Sequence, residues 1–417
     1  MRILKLTSFV EKSLLRTRHE RDVEAERVAK EIIEDIRARG DKALTEWIKK
    51  LDAVDIAREG LWITKHEMAH ALKHADREFL RAIKLAARNV QRVAQKQLPR
   101  AWTIEVDRDI RISQRVSPIE SIGCYIPGGQ FALVSTLVMT VVPARVAGVK
   151  QISVVCPHPN HAVLAAASLL GVTRIARVGG AQAIAALAYG TKTVPRVEKI
   201  FGPGNRFVTA AKRLVSSDCA IDLPAGPTEA IVLADRGNPR WIAADLLAQA
   251  EHAPDAGSFF VTTSAALARS VQREVEWQLK EVPGGGHAAF SLSLVGKILI
   301  APSMAAACEF VNRFAPEHLS LPDNGRLLLK HIHSSGTVFL GPWSAQPLGD
   351  YASGSNHVLP TGGWARKRGG LSAADFVKCI SVQAIGRKGF TNLADSVEVL
   401  ASAEGLLAHR NAVRVRR

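Results

Sequence analysis

The sequence predicts an α/β protein whose parallel sheets are covered by helices on both faces. From Gly123 to about Ala234, short apolar runs of strand length (Ile152 to Cys156, Ile175 to Val178, Ile231 to Ala234) alternate with Ala-rich helical runs. A second series repeats the rhythm, with helices near Arg240 to Ala253 and Met304 to Phe314 and strands near Phe259 to Thr262, Lys297 to Ile300 and Thr337 to Leu340. With 417 residues, 47% of them hydrophobic, the chain is long enough to bury a large core and to form more than one domain.

The elements follow in order. Met1 to Leu15 carries Glu11 and Lys12 and lacks the apolar region of a secretory signal. From Glu24 to Leu51 the pattern is helical, with Val28, Ile32 and Ile36 on one face and a break at Gly40. Thr64 and Glu67 form a capping box that opens one long helix. Its stripe of Met68, Leu72, Ala75, Phe79, Ile83, Ala86, Val90 and Val93 runs towards Gln97. Trp102 to Val106 and Ile110 to Val116 alternate like paired strands. Phe131 to Ala144 is the longest apolar run, but Ser135, Thr136, Thr140 and Pro143 interrupt it and it falls short of the ~20 residues that cross a bilayer. It reads as a buried helix. The last forty-odd residues form a short helical appendage with a basic tail.

Composition removes several function classes. Five scattered cysteines with no Cys-x-x-Cys pair form neither a thiolate zinc site nor a disulfide framework, so a reducing cytoplasm is expected. The net charge of +16 raises the question of a polyanionic partner. The basic residues are spread out, however, clustering only at Arg366-Lys367-Arg368 and among Arg410, Arg414, Arg416 and Arg417, without interleaved aromatics. Neither nucleic acid nor a membrane is an expected partner, though an anionic cofactor would gain from the same field.

Three segments bring together metal-ligand and acid/base residue types: Gln249-Ala250-Glu251-His252, Ala315-Pro316-Glu317-His318 and Gly349-Asp350-Tyr351 continuing to Asn356-His357. Gln249 and His252, three apart on a predicted helix, share a face and suit two ligands of one ion, with Glu251 pointing away; they equally suit an ordinary helix end. Asp350 and His409 carry donors that could complete a set. Glu317-His318 offers a carboxylate beside an imidazole, the equipment of general acid/base catalysis, although such pairs are also common on surface turns. Three glycine-rich turns, at Tyr125 to Gly129, Gly179 to Gln182 and Phe201 to Asn205, precede possible helix starts; they read either as anion-receiving N-termini or as tight turns.

His66-Glu67-Met68-Ala69-His70 matches the zinc-protease pattern, but helical geometry places His66, His70 and His74 on the face shared with Arg77, Arg81, Lys84 and Arg88, opposite the apolar stripe. Glu67 is already engaged in capping. Solvent exposure is the expectation for these histidines.

Taken in order along nearly the whole chain, the segments resemble the histidinol dehydrogenase family. The matching stretches include Ile36 to Leu44, Tyr125 to Gly129, Val178 to Ala185, Ile200 to Asn205, Asp222 to Glu229, Gln249 to His252, Ala315 to His318, Gly349 to Tyr351, Asn356 to Thr361 and His409 to Val413. The resemblance implies a cytoplasmic, zinc-dependent homodimer, intertwined so that active sites are shared, which oxidises L-histidinol to L-histidine with two NAD⁺. One zinc per subunit would be held by Gln249, His252, Asp350 and, from the other subunit, His409. Tyr125, Gln182 and Asn205 would contact NAD, bound loosely. Thr228, His357 and Glu404 would join the ligands in holding substrate, with Glu317 and His318 as the catalytic pair.

It implies two incomplete Rossmann-like domains. Residues 21–124 and 230–370 would carry metal and catalytic residues, and 125–229 the NAD contacts. Residues 1–20 would be an N-terminal extension and 371–417 a C-terminal one reaching the partner, both small and helical. Thr228 stands where the family usually has serine, and relatives on this framework oxidise other primary alcohols, including a sulfonated propanediol; Glu404 and His357 favour histidinol. A zinc protease built on His66 and His70, or a polyanion-binding protein, is the rival from another class.

Overall fold

The structure, a computed structural model, describes residues 1–16, 22–128, 133–223, 226–281, 286–323 and 325–417. Gly129, Phe131, Pro224, Ala225 and residues 17–21 of the expected features lie outside them.

In chain order the strands are β1 (Arg2–Lys5), β2 (Trp102–Asp107), β3 (Ile110–Pro118), β4 (Ser121–Tyr125), β5 (Gln151–Val155), β6 (Ile175–Ala176) and β7 (Lys199–Phe201). They continue with β8 (Ala220–Ile221), β9 (Glu229–Leu233), β10 (Gly257–Thr262), β11 (Lys297–Ile300), β12 (His318–Leu321), β13 (Thr337–Leu340) and β14 (Val377–Ile385). Among the described residues they assemble into three sheets. A five-stranded parallel sheet has the order β6-β5-β4-β7-β8, and a six-stranded parallel sheet β1-β11-β10-β9-β12-β13. Numbered from its own first strand, each runs 3-2-1-4-5, the doubly wound order lacking its sixth strand. In the six-stranded sheet β1 adds one more edge.

Burial explains the strand chemistry. β9 and β10 are buried along their whole length and are correspondingly free of the polar alternation of a one-sided sheet. The third sheet, β14-β3-β2, is antiparallel and presents Trp102, Ile104, Val106, Ile380 and Val382 at its surface. The paired strands expected between residues 102 and 116 are its core.

Three differences from the expectation have physical causes. The single long helix is two, Lys65–His74 and Arg77–Gln97. Asp76 caps the second, its Oδ1 accepting from the Phe79 N–H (3.2 Å), so an apolar stripe that stays in phase masks the break. Residues 23–54, placed with the first unit, lie on the second. Ile32, Ile36, Leu44 and Ile48 bury against Ala183, Ile184, Leu187 and Val208 beside the five-stranded sheet, because amphipathicity fixes which face is covered and not which sheet covers it. The two terminal extensions also contribute strands, β1 and β14, as well as helices.

The apolar run after residue 131 is the buried helix Val134–Val146. No helix among the described residues is long and apolar enough to cross a membrane.

Candidate active site

β9 and β12 are neighbours at the centre of the six-stranded sheet, with His318 in register with Ala230. Their amino ends bring Thr228 and Glu229 beside Glu317 and His318. The approach to β12 is sharp: Ala315, which ends helix Met304–Phe314, has φ of 50°, a left-handed conformation that an alanine adopts only where the surroundings impose it. Pro316 follows, and the pair enters a fully buried strand rather than a surface turn.

The Glu317 carboxylate is the hub of a hydrogen-bond chain. Its Oε2 accepts from the Thr228 hydroxyl (2.5 Å) and from the Glu229 N–H (3.0 Å). Thr228 Oγ1 in turn accepts from Gln249 Nε2 (2.9 Å), and Gln249 Oε1 accepts from Gln346 Nε2 (2.7 Å). His318 lies between two carboxylates, Nδ1 3.7 Å from Glu317 and Nε2 3.5 Å from Asp350, and neither nitrogen has a hydrogen-bond partner among the described residues. Its ring stacks on Phe339 at 5.9 Å. A buried imidazole with both nitrogens open is a group waiting for a partner.

Electrostatics divide the roles. Burial pushes the Glu317 carboxyl above its ordinary range, against the pull of His318 and of the Thr228 and Glu229 donors. Burial opposes the His318 imidazolium, yet Glu317 and Asp350 together hold the ring above its ordinary value. Burial likewise opposes the Asp350 carboxylate, but His318, His357 and His252 keep it below the usual range and so ionised. His357, its Nδ1 paired with the Asp350 carbonyl (2.8 Å) and its Nε2 with Thr136 Oγ1 (3.2 Å), is pushed below its ordinary value by burial, against the pull of Asp350.

A cavity of about 80 Å³ opens beside this cluster, lined by Thr228, Glu317, His357 and Thr361 from one side and by Gly202, Pro203 and Asp222 from the other. The site therefore lies between the amino edge of the six-stranded sheet and the carboxyl edge of the five-stranded one. At that second edge Gly202 (φ 113°) passes so close to the Tyr125 carbonyl that an added Cβ would sit 2.2 Å from its oxygen. Asp222 holds the turn, accepting from the Gly202 N–H (2.7 Å) and pairing with buried Lys212.

The sequence-derived residues fall into four groups. Thr228, Gln249, Glu317, His318, Asp350 and His357 converge. His252 is exposed: the helix Pro239–Ala250 stops before it, so it does not share a helical face with Gln249 as the spacing suggested, although its charge reaches Asp350. Glu404 and His409 are exposed on the C-terminal arm and join none of these contacts. Among the described residues no group of three or more His, Cys, Asp or Glu gathers as a metal site.

At the carboxyl edge of the five-stranded sheet, Tyr125 OH accepts from the Gly180 N–H (3.1 Å) and Asn205 caps helix Arg206–Val215. Gln182 is fully buried and donates to Asp52 (2.9 Å), which also accepts from the Gly179 N–H (3.0 Å). Sequence reasoning missed Asp52, Thr136, Gln346 and Lys212, because each acts through a distant partner. Asp222 stood inside a matched segment without a role.

The histidines of the zinc-protease pattern lie together on the solvent face of their helix, as geometry required. His66 and His70 are exposed, and Glu67 is tied to the Thr64 N–H (2.8 Å) and to Arg177.

A family model described as histidinol dehydrogenase matches residues 15–417. The chain is 43% identical to the histidinol dehydrogenase of Aquifex aeolicus over 396 residues, 94% of this chain and 93% of that one. To the histidinol dehydrogenase of Escherichia coli it is 44% identical over 398 residues, 94% and 91% of the two. A crystal structure of histidinol dehydrogenase from Elizabethkingia anophelis superposes with a TM-score of 0.93 at 37% identity, covering 100% of this chain and 98% of that one.

Proposed function

The chain belongs to the histidinol dehydrogenase family, a family of oxidoreductases, and from that premise we propose that it oxidises L-histidinol to L-histidine through L-histidinaldehyde with two NAD⁺. The observation that carries this reading is the buried Glu317–His318 pair beside ionised Asp350, with both imidazole nitrogens open at the edge of a cavity.

In the first oxidation His318 takes the hydroxyl proton while the carbon's hydride passes to NAD⁺, and the resulting imidazolium sits between two carboxylates that stabilise it. The aldehyde has no second hydride to give until water adds. Glu317, its carboxyl raised by burial and oriented by Thr228 and the Glu229 N–H, is placed to take the proton of that water. Once His318 has passed its first proton to solvent, the hydrate loses its hydride to a second NAD⁺ and its remaining proton to His318, leaving the carboxylate.

The donor types at this edge suit zinc: the amide oxygen of Gln249, the imidazole of His252 and the carboxylate of Asp350, kept ionised, would hold it together with His409 of the partner subunit. Bound there, zinc supplies a positive centre that orients the substrate's imidazole and amine. Thr228, His357 and Glu404 complete the substrate contacts, and Tyr125, Gln182 and Asn205 those to NAD, with Gln182 Oε1 the atom still without a partner among the described residues. The exposed Glu404 and His409 support a homodimer in which one arm completes the other subunit's site. The setting is cytoplasmic histidine biosynthesis.

Two NADH per L-histidinol consumed, abolished by a chelator and restored by zinc, is the expected result. One NADH with accumulating aldehyde, or turnover of a sulfonated propanediol in preference to histidinol, would overturn it.

A further inference from the structure

The six-stranded sheet has a second crevice. The chain leaves β9 towards β10 and β11 on one side, while β12 and β13 lie on the other, so the strand order reverses between β9 and β12. In open parallel sheets such a switch point leaves a gap outside the carboxyl ends, and ligands bind in it. Here the gap is a cavity of about 110 Å³ lined by Gly237, Asn238, Trp241, Asp245, Ser320 and Gly341 among others. The catalytic pair occupies the opposite, amino ends of the same two strands, and the two cavities share no lining residue.

Asp245 decides the chemistry. It has no hydrogen bond or ion pair among the described residues, and burial alone raises its carboxyl to about 6. The other acid of the lining, Asp323, already pairs with Arg236 at 2.8 Å. Trp241 stands one helical turn from Asp245, its ring 5.2 Å from that of Trp343. An anion would face an unpaired carboxylate, and a neutral ligand would leave that charge unanswered. A hard metal ion requires several oxygen donors, of which Asp245 supplies the one free carboxylate.

We propose that this crevice binds a small organic ammonium ion, with its N–H groups on Asp245 and its charge beside the Trp241 ring. A cavity of ~150 Å³ takes benzene, so this one suits a short-chain amine. Retaining a half-buried carboxylate with no protein partner among the described residues costs stability, and groups so perturbed concentrate at functional sites. The site is independent of the catalytic reading given above.

The test is calorimetric titration of ethylammonium chloride into the full-length protein, with sodium chloride and ethanol as controls. Saturable heat is expected for ethylammonium alone. Asp245→Asn should weaken it about tenfold or more while histidinol turnover stays unchanged, and Trp241→Leu should weaken it by about threefold. His318→Asn should leave the titration as it was. Undiminished affinity in both Asp245→Asn and Trp241→Leu, an equal response to ethanol, absence of saturable heat, or loss of binding in His318→Asn would each overturn the proposal.

Discussion

The amino and carboxyl edges of the six-stranded sheet are built from the same strands and the same helix, yet they treat a carboxylate in opposite ways, buried Glu317 at one and half-buried Asp245 at the other. At the amino edge Glu317 is surrounded by donors, and Gln249, Gln346 and Thr228 extend the chain until each buried polar atom of that relay has a partner. At the carboxyl edge, one turn earlier on helix Pro239–Ala250, Asp245 has none. A satisfied network fixes geometry, whereas an unsatisfied group keeps binding capacity in reserve. Within the amino edge the same contrast recurs: Glu317 is fixed and His318, its neighbour, is open.

The largest effect expected follows from that contrast. His318→Asn should lower kcat by roughly 10²–10⁴-fold with the protein still folded and the proposed zinc still bound, since no hydrogen bond among the described residues depends on the ring. Loss of metal in this variant would make His318 a ligand and erase the distinction between fixed and open groups. Glu317→Gln keeps an oxygen to accept from Thr228 and Glu229, so the fold should persist while the second oxidation slows by on the order of 10²-fold. Stopped-flow NADH counting should then show one fast equivalent and one slow. Two equally fast equivalents would show that Glu317 is structural.

How much of this was legible in sequence depends on range. The strand-helix rhythm, the capping box at Thr64 and the buried helix after residue 131 are local patterns, and they stand in the structure. The Asp76 break was hidden because both helices present the same apolar face. In the site, Glu317 and His318 were visible as acid/base residue types, but their adjacent positions left a surface turn open; only β9 and β13 on either side show that they enter a buried strand. Thr136 lies 221 residues from His357 and Asp52 130 from Gln182, separations over which spacing carries no signal. Asp245 carries no signal in the sequence, since having no partner leaves no trace there.

Stability against pH separates the two edges next. The Asp245 carboxyl is raised from 3.8 to about 6, so its contribution to stability is fully present below about 3.8 and is lost as pH rises through about 6. Asp245→Asn, which never ionises, should therefore be level with the parent near pH 4 and more stable by on the order of 2 kcal/mol at pH 7.5, by urea denaturation. Ethylammonium should shrink that gap by stabilising only the parent. A gap independent of pH would mean that Asp245 is already paired.

The smallest effect probes how tightly the amino edge is closed. Thr228→Val preserves shape but removes the hydroxyl that donates to Glu317 and accepts from Gln249, leaving a buried amide N–H without its acceptor; about 1–2 kcal/mol of stability should go. Thr228→Ser keeps the hydroxyl and loses one methyl from a half-buried position, so less than about 1 kcal/mol is expected, with activity retained. If serine proved as damaging as valine, the methyl rather than the hydroxyl would hold the site together. The order of these two variants in the same melt therefore measures whether the relay from Gln346 to Glu317 is held by hydrogen bonds, as Asp245 at the other edge is not.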